Sequence, residues 1–245
     1  MLKVSASSDV GIMRKLRSVN QDAIFVSPEP VGSLGNVFVI ADGMGGHRGG
    51  EVASKTAIDH FLQSIRQNND VPEEGVLDLL TSAAAYANEK IYIQAEEVPE
   101  LNGMGTTFTA CTISNRKCSI IHVGDSRTYA LNNGILTQIT SDHSYVSEMV
   151  KAGQITLAEA KAHPKRNILT QVLGIHPKLS ADGYIYNAEP NSVILLCSDG
   201  LYTMVSDEDI INIINTAEEP ASALVEAANN RGGADNISVI VVNID

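Results

Sequence analysis

Three runs of β-forming residues in this 245-residue chain end on an aspartate followed by a turn residue, and a fourth run starts just after one. NVFVIADG ends at Asp42-Gly43, SIIHVGDS at Asp125-Ser126 and SVILLCSDG at Asp199-Gly200, while Asp235-Asn236 opens NISVIVVNI. Strands that end together in one sheet would put these carboxylates in one cleft. Like charges gathered there raise one another's pKa values unless cations compensate, so four or five converging aspartates imply bound divalent metal. Taken singly, each Asp-Gly is what a turn after a buried strand requires, because Asp caps and Gly takes positive φ. Only the joint pattern points to chemistry.

Two further segments extend it. RSVNQD places Arg17 five residues before Asp22, just ahead of a short strand. A guanidinium forks onto two phosphate oxygens and a carboxylate close by can hold a metal or its water, although alone the pair reads as a surface ion pair. From Asp42 to Glu51, five of ten residues are glycine, which lets the backbone approach a ligand closely. Gly43 could offer its carbonyl to a metal that Asp42 already binds. A phosphate-binding nucleotide loop is the rival reading, but neither GxxxxGK[ST] nor GxGxxG is present. His47 in this loop is either a proton donor or a polar loop residue.

These residues must be held by strands. Alternating or apolar runs predict strands over Leu2–Ser7, Ala23–Val26, Asn36–Ala41, Thr106–Ile113, Cys118–Val123, Thr128–Leu131, Leu136–Ile139, Gly183–Tyr186, Val193–Cys197 and Ile237–Ile244. Asn115-Arg116 and Asn132-Asn133-Gly134 are hairpin turns, so pairing is mostly antiparallel. Helical periodicity covers Glu51–Gln67 and Glu73 to about Gln94, with Asp70 as the expected cap of the second. Ser206 with Asp209 resembles a capping box opening a helix through Ile214, and another helix runs about Ala221–Asn229. Helix pairs at both ends of a strand-rich chain fit two antiparallel sheets stacked face to face with helices on the outer faces: one α+β domain over residues 1–245, a four-layer α/β/β/α sandwich. His143 to about Leu173 reads as an inserted flap of short helices. Its HPKRN stretch, with His163, Lys165 and Arg166, would put a basic patch where a phosphopeptide enters; as a plain alternative, it is a solvated loop.

With 29 acidic against 17 basic residues, the net charge of −12 argues against nucleic acid or an anionic membrane as partner. No apolar stretch approaches the roughly 20 residues a membrane span requires. The N-terminal residues lack the features of a secretory signal, and the default compartment is the cytoplasm. Cys111, Cys118 and Cys197 lie in apolar strand-like segments without paired or metal-type spacing, as reduced core residues would. A phosphocysteine route has no support, since a CxxxxxR loop is absent. Oxygen-only ligands favour Mg²⁺ or Mn²⁺ over zinc.

In order and approximate spacing, RSVNQD, ADGMGGH, GMGTT, VGDSR, TSDHS, CSDGL and GADNIS resemble the metal-dependent protein serine/threonine phosphatases of the protein phosphatase 2C family, compact bacterial type, over the full length. The family's fold is a sandwich of two antiparallel sheets flanked by helix pairs. The resemblance implies that Asp42 bridges two metal ions, with the Gly43 carbonyl on one and Asp199 and Asp235 on the other. Asp22 is implied as a ligand directly or through water, and Asp125 with Asp199 as a third metal site. Arg17 is similar to the arginine that grips the substrate phosphate, while Asn236 and His47 would lie just outside the ligands. His163 and Asn236 are the further expected substrate contacts. Many eukaryotic members carry histidine after Asp-Gly as a proposed general acid, whereas this chain has Met44; the proton must come from elsewhere, such as a water on the third metal or His47. The expected reaction is hydrolysis of phosphoserine and phosphothreonine by a metal-activated water, without a covalent intermediate, in a monomer opposing a serine/threonine kinase. A metal-dependent hydrolase of small phosphoesters and a catalytically inactive regulatory module of the same fold are the alternatives.

Overall fold

The computed structural model describes residues 2–14, 19–45, 48–68 and 70–244. Two antiparallel sheets form its centre. One has the order β1 (Lys3–Asp9), β11 (Ile237–Asn243), β10 (Val193–Cys197), β7 (Arg127–Asn132) and β8 (Ile135–Gln138). The other runs β2 (Asp22–Ser27), β3 (Val37–Met44), β5 (Phe108–Ser114), β6 (Lys117–Val123) and β9 (Asp182–Asn187), with the short β4 (Gly105–Thr106) pairing the end of β3. Helices α1 (Gly49–Arg66) and α2 (Val76–Glu97) cover the second sheet. The first is covered by α6 (Asp207–Thr216) and α7 (Pro220–Asn230), with α5 (Asp199–Tyr202) leading out of β10. Helices α3 (Tyr145–Lys151) and α4 (Leu157–Ala162) lie in the segment between β8 and β9.

The layering follows from residue alternation on strands covered on both faces. On β3, Phe38 and Ile40 join Ile120, Ile194, Leu196 and Ile240 between the sheets. Val37, Val39 and Ala41 point the other way, onto Ala53, Ala57 and Phe61 of α1. Val37 to Ala41 have no exposed surface, which is why this strand reads as an unbroken apolar run. The α+β sandwich expected from periodicity is the one observed.

Both hairpin turns use positive φ where the turn type demands it. Asn115 (48°) and Arg116 (64°) join β5 to β6, and Asn133 (49°) and Gly134 (77°) join β7 to β8. Asp70 does not cap α2. Pro72 instead leads into a 3-10 turn over Glu73–Gly75, and α2 starts at Val76 with no side-chain cap. The proline ring pushes the residue before it out of the helical region, so the chain tightens into one short turn before the helix begins. Ser206 does cap α6, accepting from the Asp209 N–H at 3.2 Å. The three cysteines are buried and free.

The flap is tied down at its roots. Ser144 bridges Leu169, Thr106 bridges Leu173, and the Gly174 N–H donates to Asn88 Oδ1 (2.8 Å) on α2. Ser144 caps α3, and Thr156 with Glu159 forms a capping box on α4.

Candidate metal centre

Asp22 and Asp42 are register partners on β2 and β3, so their carboxyl groups lie side by side at one end of the second sheet. In the other sheet β10 pairs β11; Asp199 stands two residues past the end of β10 and Asp235 two residues before β11. Ser198 links the sheets: its Oγ donates to Asp22 Oδ2 (2.8 Å) and accepts from the Ser238 N–H (2.9 Å). Asp125 enters from the turn where the chain crosses from β6 in one sheet to β7 in the other. The five aspartates therefore converge where the two sheets meet.

Their electrostatics record the crowding. Burial first, then repulsion from Asp22, Asp199, Asp125 and Asp235, holds Asp42 well above the ordinary carboxylate range. Burial pushes Asp22 up to about 6; hydroxyls of Ser238 and Ser198 work against it, while Asp235 adds to it. Asp125 also reaches about 6 through burial, with Asp142 its strongest repulsive neighbour. Asp199 is raised by burial and by Asp125, Asp235 and Asp22, with Arg14 opposing. The Arg14 guanidinium lies 2.9 Å from Asp235 Oδ2.

A hard cation fits this donor set. Asp22 Oδ1 and Asp199 Oδ1 are buried without a hydrogen-bond partner, an arrangement costing about 1–3 kcal/mol per group if nothing binds them. All the candidate ligand atoms are oxygens. Among the described residues no three Asp, Glu, His or Cys side chains form a closed ligand set as placed, so backbone carbonyl and water oxygens would have to complete the coordination.

The backbone around Asp42 is clamped. Its N–H donates to Thr107 Oγ1 (2.9 Å), and its carbonyl accepts from Thr106 Oγ1 (2.9 Å) and the Thr107 N–H (2.8 Å). The strand does not stop at Asp42, as the Asp-Gly signal suggested; it runs on to Met44 because β4 pairs it there. The Gly43 N–H donates to the Gln21 carbonyl (3.1 Å).

Arg17 and His47 lie outside the described residues. Asn236, expected to touch substrate, is 1% exposed. Its Oδ1 accepts from the Gln21 N–H (2.9 Å) and its Nδ2 donates to the Val10 carbonyl (2.8 Å), so it anchors the segment that carries Asp22. Contacts of His163 stay in the flap: Nδ1 accepts from the Lys165 N–H (3.1 Å) and the ring lies 6.1 Å from that of Tyr145. Met44 is 40% exposed and has no proton to give. Sequence reasoning missed the clamps, Thr107 and Ser198. Both stood inside quoted motifs, GMGTT and CSDGL, but far in sequence from Asp42 and Asp22, the residues they fix.

The raised acids set a sign for pH dependence. An acid whose folded pKa is raised holds its proton more tightly in the folded state, so its contribution to stability is present below the unfolded pKa and lost as pH rises through the folded one. For Asp22 and Asp125 that loss runs from about 4 to about 6. Protein in EDTA is thus expected to melt at a lower temperature near pH ~7.5 than near pH ~5. Mn²⁺ requires ionised carboxylates, so its stabilising increment should grow over the same range. Melting curves with EDTA and with Mn²⁺ at both pH values check the two signs.

Known proteins resemble this chain in sequence and in fold. A family model described as Protein phosphatase 2C matches residues 14–235. The serine/threonine phosphatase stp of Listeria monocytogenes serovar 1/2a is 38% identical over 213 residues, covering 85% of this chain and 84% of that protein. The crystal structure of the serine/threonine phosphatase Stp1 from Staphylococcus aureus superposes with a TM-score of 0.91 at 34% identity, covering 100% of this chain and 96% of that one. The catalytic domain of the serine/threonine protein phosphatase PstP, solved in complex with two manganese ions, superposes with a TM-score of 0.84 at 36% identity, covering 100% and 99%.

Proposed function

The chain belongs to the protein phosphatase 2C family, and from that premise we propose that it is a metal-dependent protein serine/threonine phosphatase acting on phosphoserine and phosphothreonine side chains. The observation that carries the reading is the convergence of five aspartates, two with orphaned buried oxygens, where the two sheets meet.

Without cations such a cleft would repel a phosphate dianion. Divalent ions bound there supply charge neutralisation and a water acidic enough to act as nucleophile near neutral pH. The residues do the rest. Asp42, clamped by Thr106 and Thr107, would hold the ions together with the Gly43 carbonyl, Asp199 and Asp235. Asp22 would contribute directly or through water, its orientation set by Ser198. Asp125 with Asp199 would hold a third ion. Mn²⁺ and Mg²⁺ suit the all-oxygen set. Arg17 is assigned to the phosphate, His47 to the proton of the leaving alkoxide and His163 to the peptide beside it. We assign one catalytic domain to residues 1–245, acting as a cytoplasmic monomer on proteins phosphorylated by a serine/threonine kinase. Among the described residues no helix is long and apolar enough to cross a membrane.

The test is turnover of a phosphothreonine peptide by EDTA-stripped protein. Activity should be absent in EDTA, return with Mn²⁺ or Mg²⁺, and exceed that on the matching phosphotyrosine peptide. Metal-independent turnover, or none with either ion, contradicts the assignment.

A further inference from the structure

We propose that Tyr202, Arg127 and Asp142 form a positioning assembly that fixes how Asp125 presents its carboxylate to the cleft. The proposal rests on the reading of Asp125 as a ligand of an additional ion.

Among the described residues no side-chain donor binds the Asp125 carboxylate, and the hydrogen bonds that hold this residue act on its backbone. That backbone is held from both sides. On one, the Tyr202 hydroxyl donates to the Asp125 carbonyl at 3.0 Å. On the other, the Gly124 N–H donates to His143 Nδ1 (3.2 Å), and the His143 N–H donates to the Gly124 carbonyl (2.7 Å). Arg127 joins the two sides. Its guanidinium lies over the Tyr202 ring, 3.6 Å from the centroid, and forks onto Asp142 through Nε to Oδ1 (2.9 Å) and Nη2 to Oδ2 (2.7 Å).

Asp142 is bonded in sequence to His143, and Gly124 to Asp125, so the contacts close into a ring around the turn. Every nitrogen of the guanidinium is committed, because Nη1 donates to the Tyr129 hydroxyl (2.9 Å). The ion pair is largely buried, with Arg127 23% and Asp142 15% exposed at the side chain. A planar fork stacked on a ring cannot be reproduced by lysine, whose ammonium is a point charge on a flexible stem. Gly124 takes φ +106°, and a Cβ there would meet Thr107 Cγ2 at 2.6 Å, so the turn has little room to drift. The ring also joins elements that a short-range view keeps apart: the flap root, the first turn after β10 and the crossover between the sheets.

Tyr202→Phe keeps the ring under the guanidinium and removes only the hydroxyl; Arg127→Lys keeps the charge and removes the fork. Each is measured by calorimetric titration of EDTA-stripped protein with Mn²⁺, by kcat and KM on a phosphothreonine peptide, and by thermal melting. Expected for Tyr202→Phe are an unchanged tight phase, a weaker phase shifted to about tenfold lower affinity, kcat reduced about tenfold and KM within about twofold. Arg127→Lys should show the same pattern, more strongly. Wild-type values for both the weaker phase and kcat in these variants would overturn the assembly. Loss of both phases together with melting temperature would overturn it as well, since that is the mark of a structural role alone. If wild type itself shows no weaker phase, the reading of Asp125 as a ligand fails instead.

Discussion

Asp42→Asn is expected to abolish turnover and, in EDTA, to raise the melting temperature. Both effects come from one carboxylate. Asp42 is raised by burial and by four other aspartates, so without cations its charge opposes folding near neutral pH. Asparagine keeps the shape and removes that charge. Each kcal/mol of repulsion relieved should add about 2–4 °C for a chain of this size. Activity moves the other way. Changing a residue that merely supports a ligand costs 10–100-fold, so removing a carboxylate assigned to hold the ions should cost at least about a hundredfold. Parallel melts and phosphopeptide assays read both signs. A variant that melts lower in EDTA, or that keeps its turnover, is the unexpected result.

Gly43→Ala is expected to damage the same site through the backbone. A Cβ at residue 43 would lie 2.0 Å from the Gly50 carbonyl oxygen and 2.6 Å from that of Gln21. Neither atom can rotate away, so the start of α1 or the segment before β2 must shift. Overpacking of this kind costs about 1–3 kcal/mol, and a clash with two carbonyls belongs at the upper end or beyond. The shift would also displace the carbonyl assigned to the metal, so turnover should fall further than stability alone explains. Gly35→Ala is the control, since a Cβ there meets nothing within 4 Å. Urea denaturation and Mn²⁺-dependent turnover of the two variants should differ sharply; equal behaviour would count against the close approach.

The sandwich was legible because strands and helices advertise themselves locally. Val37 to Ala41 and Val193 to Cys197 are unbroken apolar runs, and both turns chosen for their asparagines take positive φ. The four-residue α5 was hidden, because Asp199-Gly200 reads equally well as a turn and so short a helix shows no periodicity. Asp70 failed as a cap for a reason the sequence contained but did not rank: Pro72 fixes the backbone more strongly than a capping side chain two residues away. The aspartates were legible as a set, since each lies within two residues of the end of a strand-like run or of the start of one. What holds them was not. Ser198 reaches Asp22 across 176 positions and Tyr202 reaches Asp125 across 77, separations that no local pattern encodes. The anchoring role of Asn236 was hidden for the same reason: its amide bonds two segments more than 200 residues away.

The most direct test of the aspartate cluster is calorimetric titration of EDTA-stripped protein with Mn²⁺ near neutral pH, wild type beside Asp42→Asn. Wild type should take up at least about two ions per chain, and the tight phase should disappear in the variant. Uptake of less than one ion by wild type, or superimposable isotherms for the two proteins, would contradict a metal centre built on these carboxylates.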